Sequence, residues 1–223
     1  MILKKIMHLV AKLQPVKEVS DDDLEYLCWI CSLYRQISDV PGHIAEVGVA
    51  SGRNTVLFGK LIKMFGDASV RQYIGFDTFD GYVAEDMTRD VHLRTGNDRW
   101  KAFTKESVIM RCEANDVGDN VELFEGDASI IIPQILASHT GKKFQASKAR
   151  FALVYIDCNA FTPAINAMKY FLPYMMPGGI FAIDEKIQGG ETEAIIQFSG
   201  ENNLMIEKPG AMQVPIMARL ARN

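Results

Sequence analysis

The chain has 223 residues, with 24 lysines and arginines against 28 aspartates and glutamates, for a formal charge of −4. Hydrophobic residues at 48% and charged residues at 23% exclude a disordered or fibrous chain. The absence of a basic cluster argues against nucleic-acid binding, and no apolar run reaches the ~18 residues of a membrane helix.

One domain spanning residues 1–223 is expected at this length. Cys28, Cys31, Cys112 and Cys158 are too scattered for a disulfide framework, which points to a reducing, cytoplasmic setting. The N-terminus opens with lysines and apolar residues, but Lys12 cuts that run short and no cleavage site follows.

Residues 1–40 read as an N-terminal helical extension. Ser20 and Asp23 approximate a capping box. Leu24, Leu27, Cys28, Cys31, Tyr34 and Ile37 then recur at helical spacing, which predicts core positions for both cysteines. After Pro41-Gly42 the pattern becomes short apolar runs alternating with helical segments. Strands are predicted over His43–Val49, Gln72–Phe79, Val121–Asp127, Phe151–Asp157 and Gly179–Glu185. Helices are predicted over Gly52–Phe65, Lys101–Asn115, Ser129–Ser138, Thr162–Tyr174 and Thr192–Ser199. Such alternation gives an α/β fold with a mostly parallel sheet covered by helices on both faces. Asn203–Lys208 and Val214–Ala221 add an antiparallel hairpin, for seven strands in all. Residues 80–100 hold no period and start at a strand end, where α/β proteins bind ligands, so they read as a substrate lid.

The strand ends carry a polar series. The first gives Glu46, Gly48, Ser51 and Gly52, with Asn54 and Thr55 in the helix that follows. The second gives Asp77 and Thr78, the third Gly126, Asp127 and Ala128, the fourth Asp157, and the fifth Asp184 and Glu185. The glycine spacing is neither a dinucleotide fingerprint nor a phosphate loop. Glu46 would repel a phosphate and suit an ammonium or sulfonium, Asp77 would accept from ribose hydroxyls, and Asp127 from an adenine amino group. S-adenosylmethionine fits that set.

Ala45-Glu46-Val-Gly48-Val, Gly75-Phe-Asp77-Thr-Phe-Asp80-Gly81, Tyr155-Ile-Asp157-Cys-Asn159, Pro177-Gly-Gly-Ile and Ile183-Asp184-Glu185 follow one another in order. Together they resemble the macrocin O-methyltransferase family of class I methyltransferases, which act on sugars of antibiotics. The resemblance spans roughly Ile44 to Phe198. It implies a Rossmann-like fold, S-adenosylmethionine, a small hydroxylated acceptor such as a sugar or glycosylated natural product, and magnesium held by acids after the fourth and fifth strands. The family pattern there is Asp-x-Asp and Asp-Asp; this chain has Asp157-x-Asn159 and Asp184-Glu185.

The residues also support a metal directly, because Asp157, Asp184 and Glu185 are hard oxygen donors on neighbouring strands and suit Mg2+. A metal there would lower the pKa of an acceptor hydroxyl. Among the candidate bases His92, His139 and Lys186, His92 is favoured because the lid should close over the site, with Asp157 also at the catalytic position. Tyr82 and Trp100 are candidate walls for a substrate ring. Cys158 is expected to point away from Asp157 if the strand runs that far. The altered acid pattern leaves a non-catalytic S-adenosylmethionine-binding protein as the alternative. A homodimer is expected on base rate alone.

Overall fold

The structure, a computed structural model, describes residues 20–95, 97–138, 149–184, 189–208 and 217–221. Five parallel strands form its centre: β1 (His43–Val47), β2 (Tyr73–Asp77), β3 (Val121–Glu125), β4 (Phe151–Ile156) and β5 (Met175–Ile183). Two short strands, β6 (Met205–Glu207) and β7 (Met217–Arg219), complete a seven-stranded sheet in the order β3-β2-β1-β4-β5-β7-β6. β7 runs antiparallel to β5 and β6, as the expected hairpin requires. Each predicted strand is present with slightly trimmed ends. β5 alone extends earlier, taking in the Pro177-Gly178-Gly179 turn. Residues 209–216, which lead from β6 to β7, lie outside the described residues.

The helices are α1 (Asp21–Gln36), α2 (Arg53–Met64), α3 (Asp86–Arg89), α4 (Asn97–Trp100), α5 (Lys105–Ala114), α6 (Ala128–Ser138), α7 (Phe161–Phe171) and α8 (Gly190–Asn202). Two apolar clusters sandwich the sheet. Trp29 and Leu33 of α1, Phe58 and Leu61 of α2, and Val108 and Cys112 of α5 pack on one face. Ile132 of α6, Met168 and Phe171 of α7, and Phe198 of α8 pack on the other. Strand alternation decides which side chain meets which layer. Ala45 and Val47 join the second cluster, and Ile44 the first.

α1 corrects the expected phase of its stripe. Cys28 and Cys31 are exposed, and Leu24 is 54% exposed. Tyr34 and Ile37 are buried as expected, but the positions buried with them are Trp29, Ile30 and Leu33. Both sets satisfy a three- and four-residue spacing, and the one carrying Trp and Ile removes more apolar area from water. The start of the helix is as expected: the Ser20 hydroxyl accepts from the Asp23 N–H at 3.1 Å.

Residues 80–100 are not irregular throughout. They form α3, a 3-10 turn over Val91–Arg94, and α4. Helices of four residues are too short to leave a periodic trace in the sequence. Among the described residues, no helix is long and apolar enough to cross a membrane.

Candidate functional site

The carboxyl ends of β1 to β5 open into one cleft of about 280 Å3. β1 contributes Gly48, Val49, Ala50 and Ser51; β2 contributes Asp77 and Thr78. Gly126, Asp127 and Ala128 follow β3, Asp157, Cys158 and Asn159 follow β4, and Asp184 follows β5. Gly81, Tyr82, Val83, Asp86 and Trp100 close it from the 80–100 segment. Five separate stretches of sequence therefore meet where parallel-sheet topology places ligands.

Gly48 owes its identity to a close approach. Its φ is +93°, and a Cβ there would fall 1.9 Å from the carbonyl oxygen of Asp157. The turn brings β1 and β4 together under the cleft. Gly52, with φ +76°, lets α2 start close against Val108.

Asp77 organises the turn that follows β1. Its Oδ2 accepts the N–H groups of Val49 at 2.7 Å and Ala50 at 2.8 Å, and its Oδ1 accepts that of Phe79 at 2.7 Å. Ala50 and Phe79 have φ of 46° and 51°, a costly region for residues with a Cβ. One carboxylate thus holds two strained residues at the rim. Three of its roughly four acceptor positions are engaged by backbone. Asp127 accepts from the Ser129 N–H at 2.8 Å at the start of α6 and also faces the cleft.

Glu46 and Thr55 lie behind the cleft wall. Glu46 is fully buried on the α1–α2 side. Asn54 Nδ2 donates to Glu46 Oε1 at 2.7 Å and to Asp157 Oδ2 at 3.1 Å, joining the two carboxyl groups. Thr55 donates to the Tyr73 hydroxyl at 3.0 Å. Burial is the main reason the Glu46 carboxyl sits well above the usual range, with Asp184 and Asp77 adding to it. Asp157 is pushed up by burial and then by Asp184, Glu191 and Glu46. Tyr155 donates to Asp184 from within the sheet.

Cys158 lines the cleft beside Asp157, since the alternation expected of a strand running that far does not reach it. β4 ends at Ile156, so the pleat no longer applies, and Asn159 turns with φ 57°. The Cys158 thiol donates to the Ala160 carbonyl at 3.6 Å, and burial raises its pKa.

Tyr82 and Trp100 stand together at the rim. Burial pushes the Tyr82 phenol up to about 12, against the effect of a hydrogen bond with the Trp100 side chain. Asp86 is pushed up to about 6 by burial, then by Asp127, Asp90 and Glu85. His92 is exposed and is not part of the cleft wall. Glu185, Lys186 and His139 lie outside the described residues, so of the three expected metal ligands the structure brings together Asp157 and Asp184. Among the described residues, no group of three histidines, cysteines or acids is placed to hold a metal.

Tyr26 and Arg53 also line the cleft, and sequence reasoning missed both. Tyr26 lies on a helix before the first strand and belongs to no motif. Its one sequence signal is a place in the Tyr26-Trp29-Ile30-Leu33 stripe, on the side that packs toward the sheet.

Residues 45–185 match the family described as a methyltransferase domain. No curated protein matches the chain. CalS11, a calicheamicin methyltransferase, shares 25% identity and a TM-score of 0.72 over 90% of this chain and 80% of its own. The apo structure of CalS11, described as a TDP-rhamnose 3'-O-methyltransferase, gives 26% and 0.67 over 90% and 81%. The O-methyltransferase NovP, at 17% identity and a TM-score of 0.72 over 93% and 84%, bears on the fold alone.

Proposed function

The chain belongs to the methyltransferase-domain family and is an S-adenosylmethionine-dependent O-methyltransferase; from that premise we propose that it methylates a sugar hydroxyl, with Mg2+ assisting. The acceptor class follows the resemblance to the macrocin O-methyltransferase family and the likeness to CalS11. The observation that carries the reading is the convergence of five strand tips on one acidic cleft.

The cleft has two arms. Asp77 and Asp127 stand on the β2–β3 arm and suit the polar edges of a nucleoside. Asp77 contributes its remaining acceptor position, and Thr78 and Ser51 add hydroxyls nearby. Asp157 and Asp184 stand on the β4–β5 arm. Their donors are all hard oxygens, and Asp157 is held among like charges that a divalent cation would relieve. They are the described side chains that would hold Mg2+, with Glu185 next in sequence.

Bound S-adenosylmethionine supplies an electrophilic methyl group, and bound Mg2+ supplies Lewis acidity toward an acceptor hydroxyl. The chain's part is alignment and exclusion of water. Tyr82 and Trp100 wall the side from which an acceptor ring enters. For the hydroxyl proton, Lys186 is our candidate base, because it follows the β5 acids in sequence.

A methyl-transfer assay with nucleotide sugars and glycosides, with Mg2+ and with chelator, tests this. We expect O-methylated product that falls at least tenfold with chelator or in Asp184→Asn, while cofactor binding persists. Turnover unchanged by chelator would remove the metal from the reading. Methylation of amines in place of every hydroxylated acceptor would remove the acceptor class.

A further inference from the structure

Tyr26 of α1 reaches the cleft from outside the strand tips, and its hydroxyl donates to Oδ1 of Asn54. Asn54 is 4% exposed, and its Nδ2 faces the carboxyl groups of Glu46 and Asp157. Two carboxyl acceptors on that side fix the amide, so its oxygen is the atom that meets Tyr26. The single proton of the phenol is therefore committed to Asn54, and the hydroxyl offers the cleft only lone pairs. Burial also holds the phenol above its ordinary pKa. Nor is the ring free to swing. The Arg53 guanidinium carbon lies 4.2 Å from its centroid, and Arg53 pairs with Asp23 at 2.8 Å.

Position along the cleft decides what such an acceptor meets. The strand order sets β2 and β3 on one side of β1, and β4 and β5 on the other. Asp77 and Asp127 mark the first arm; Asn54 bonds to Asp157 on the second and brings Tyr26 there. With a nucleoside on the first arm, the amino-acid end of the same molecule crosses Gly48 to the second. Its ammonium is a charged group with donors and no acceptor, the complement of an oxygen offering only lone pairs.

We propose that Tyr26 is a cofactor-recognition residue whose hydroxyl oxygen, oriented by Asn54, accepts a hydrogen bond from the α-ammonium of S-adenosylmethionine. The proposal rests on the cofactor reading above and deepens it. It gives the N-terminal helix a direct part in the site.

Tyr26→Phe removes the oxygen and keeps the ring beneath Arg53. Calorimetric titrations would compare S-adenosylhomocysteine with 5'-methylthioadenosine, which shares the nucleoside and lacks the amino-acid end. The expected result is a loss on the order of tenfold for S-adenosylhomocysteine, the weight of a hydrogen bond to a charged group, with 5'-methylthioadenosine unchanged. Retained binding of 5'-methylthioadenosine also shows that the variant is folded. Equal weakening of both compounds, or of neither, overturns the proposal and leaves the cofactor reading standing. Failure of both compounds to bind the wild type overturns the cofactor reading and the proposal with it.

Discussion

Asp90 accepts the backbone N–H of Phe161 at 2.9 Å, across 71 positions of sequence. Ala160, which precedes α7, has no side chain able to cap it, and Asp90 supplies that bond from the 80–100 segment. Beside it, the Arg89 guanidinium carbon lies 3.4 Å from the centroid of the Phe161 ring, and Arg89 pairs with Glu193 of α8 at 3.1 Å. The segment is thus pinned at one end while Gly81, Tyr82 and Val83 line the cleft at the other. Asp90→Ala should lower stability by about 1–2 kcal/mol, the range for losing a helix cap. It should also speed tryptic cleavage at Arg89, Arg94 and Arg99. An unchanged melting curve and digestion pattern would show that Asp90 does not pin the segment.

Asp77 is expected to matter for shape as well as for ligand. Asp77→Ala orphans the N–H groups of Val49, Ala50 and Phe79, of which Ala50 and Phe79 are strained. A loss of about 2–4 kcal/mol is expected for several such bonds to a charged acceptor. Thermal melts and cofactor titration should both move. A variant that loses affinity at full stability would make Asp77 a ligand group alone.

The Asp86 carboxyl titrates near pH 6 in the folded chain against an ordinary value of 3.8, because it is buried among Asp127, Asp90 and Glu85. The folded state therefore binds this proton more tightly than the unfolded state does. Its contribution to stability is fully present below about pH 4 and is lost as pH rises through 6. Asp86→Asn should match the wild-type melting temperature near pH 4 and exceed it at pH 7. Parallel curves between those limits would show an ordinary titration.

Glu46 sits fully buried with its pKa raised, so a neutral side chain of the same shape should serve it. Glu46→Gln keeps an oxygen for Asn54 and should leave the melting temperature at pH 8 equal or higher. Glu46→Ala leaves a cavity and one unpartnered N–H on the Asn54 amide, at a cost of about 2–4 kcal/mol. Denaturant unfolding of the two variants separates burial of a charge from loss of a partner. Equal losses in both would mean that the charge itself stabilises the site.

The sheet and the tips of its strands were legible because buried parallel strands are apolar on both faces and end abruptly in polar residues. Asp157 and Asp184 came to one edge for that reason. Chemistry set by the third dimension was not legible. Nothing in the sequence says that Asp77 turns to the backbone of Val49 and Ala50, or that Asn54 bridges Glu46 and Asp157. The exposure of His92 depends on the orientation of a one-turn element, which no periodicity encodes. The phase of α1 was misread because Cys28 and Trp29 fit adjacent stripes, and packing chose the larger side chain.

α1 has 16 residues and so is about 24 Å long. One turn of it holds Tyr26 at the cleft, and its last turn holds Gln36 against Arg219 of β7, which in turn pairs with Glu207 of β6 at 2.9 Å. Trp29, 1% exposed, lies on this helix between those two attachments, while the other tryptophan, Trp100, stands in the cleft wall. The chain thus carries two tryptophan fluorophores with separate views. Emission from Trp100 reports what enters the cleft, and emission from Trp29 reports whether the helix stays seated on the sheet. A Trp100→Phe variant would leave a single tryptophan as the probe of the rod that joins the cleft to the antiparallel edge.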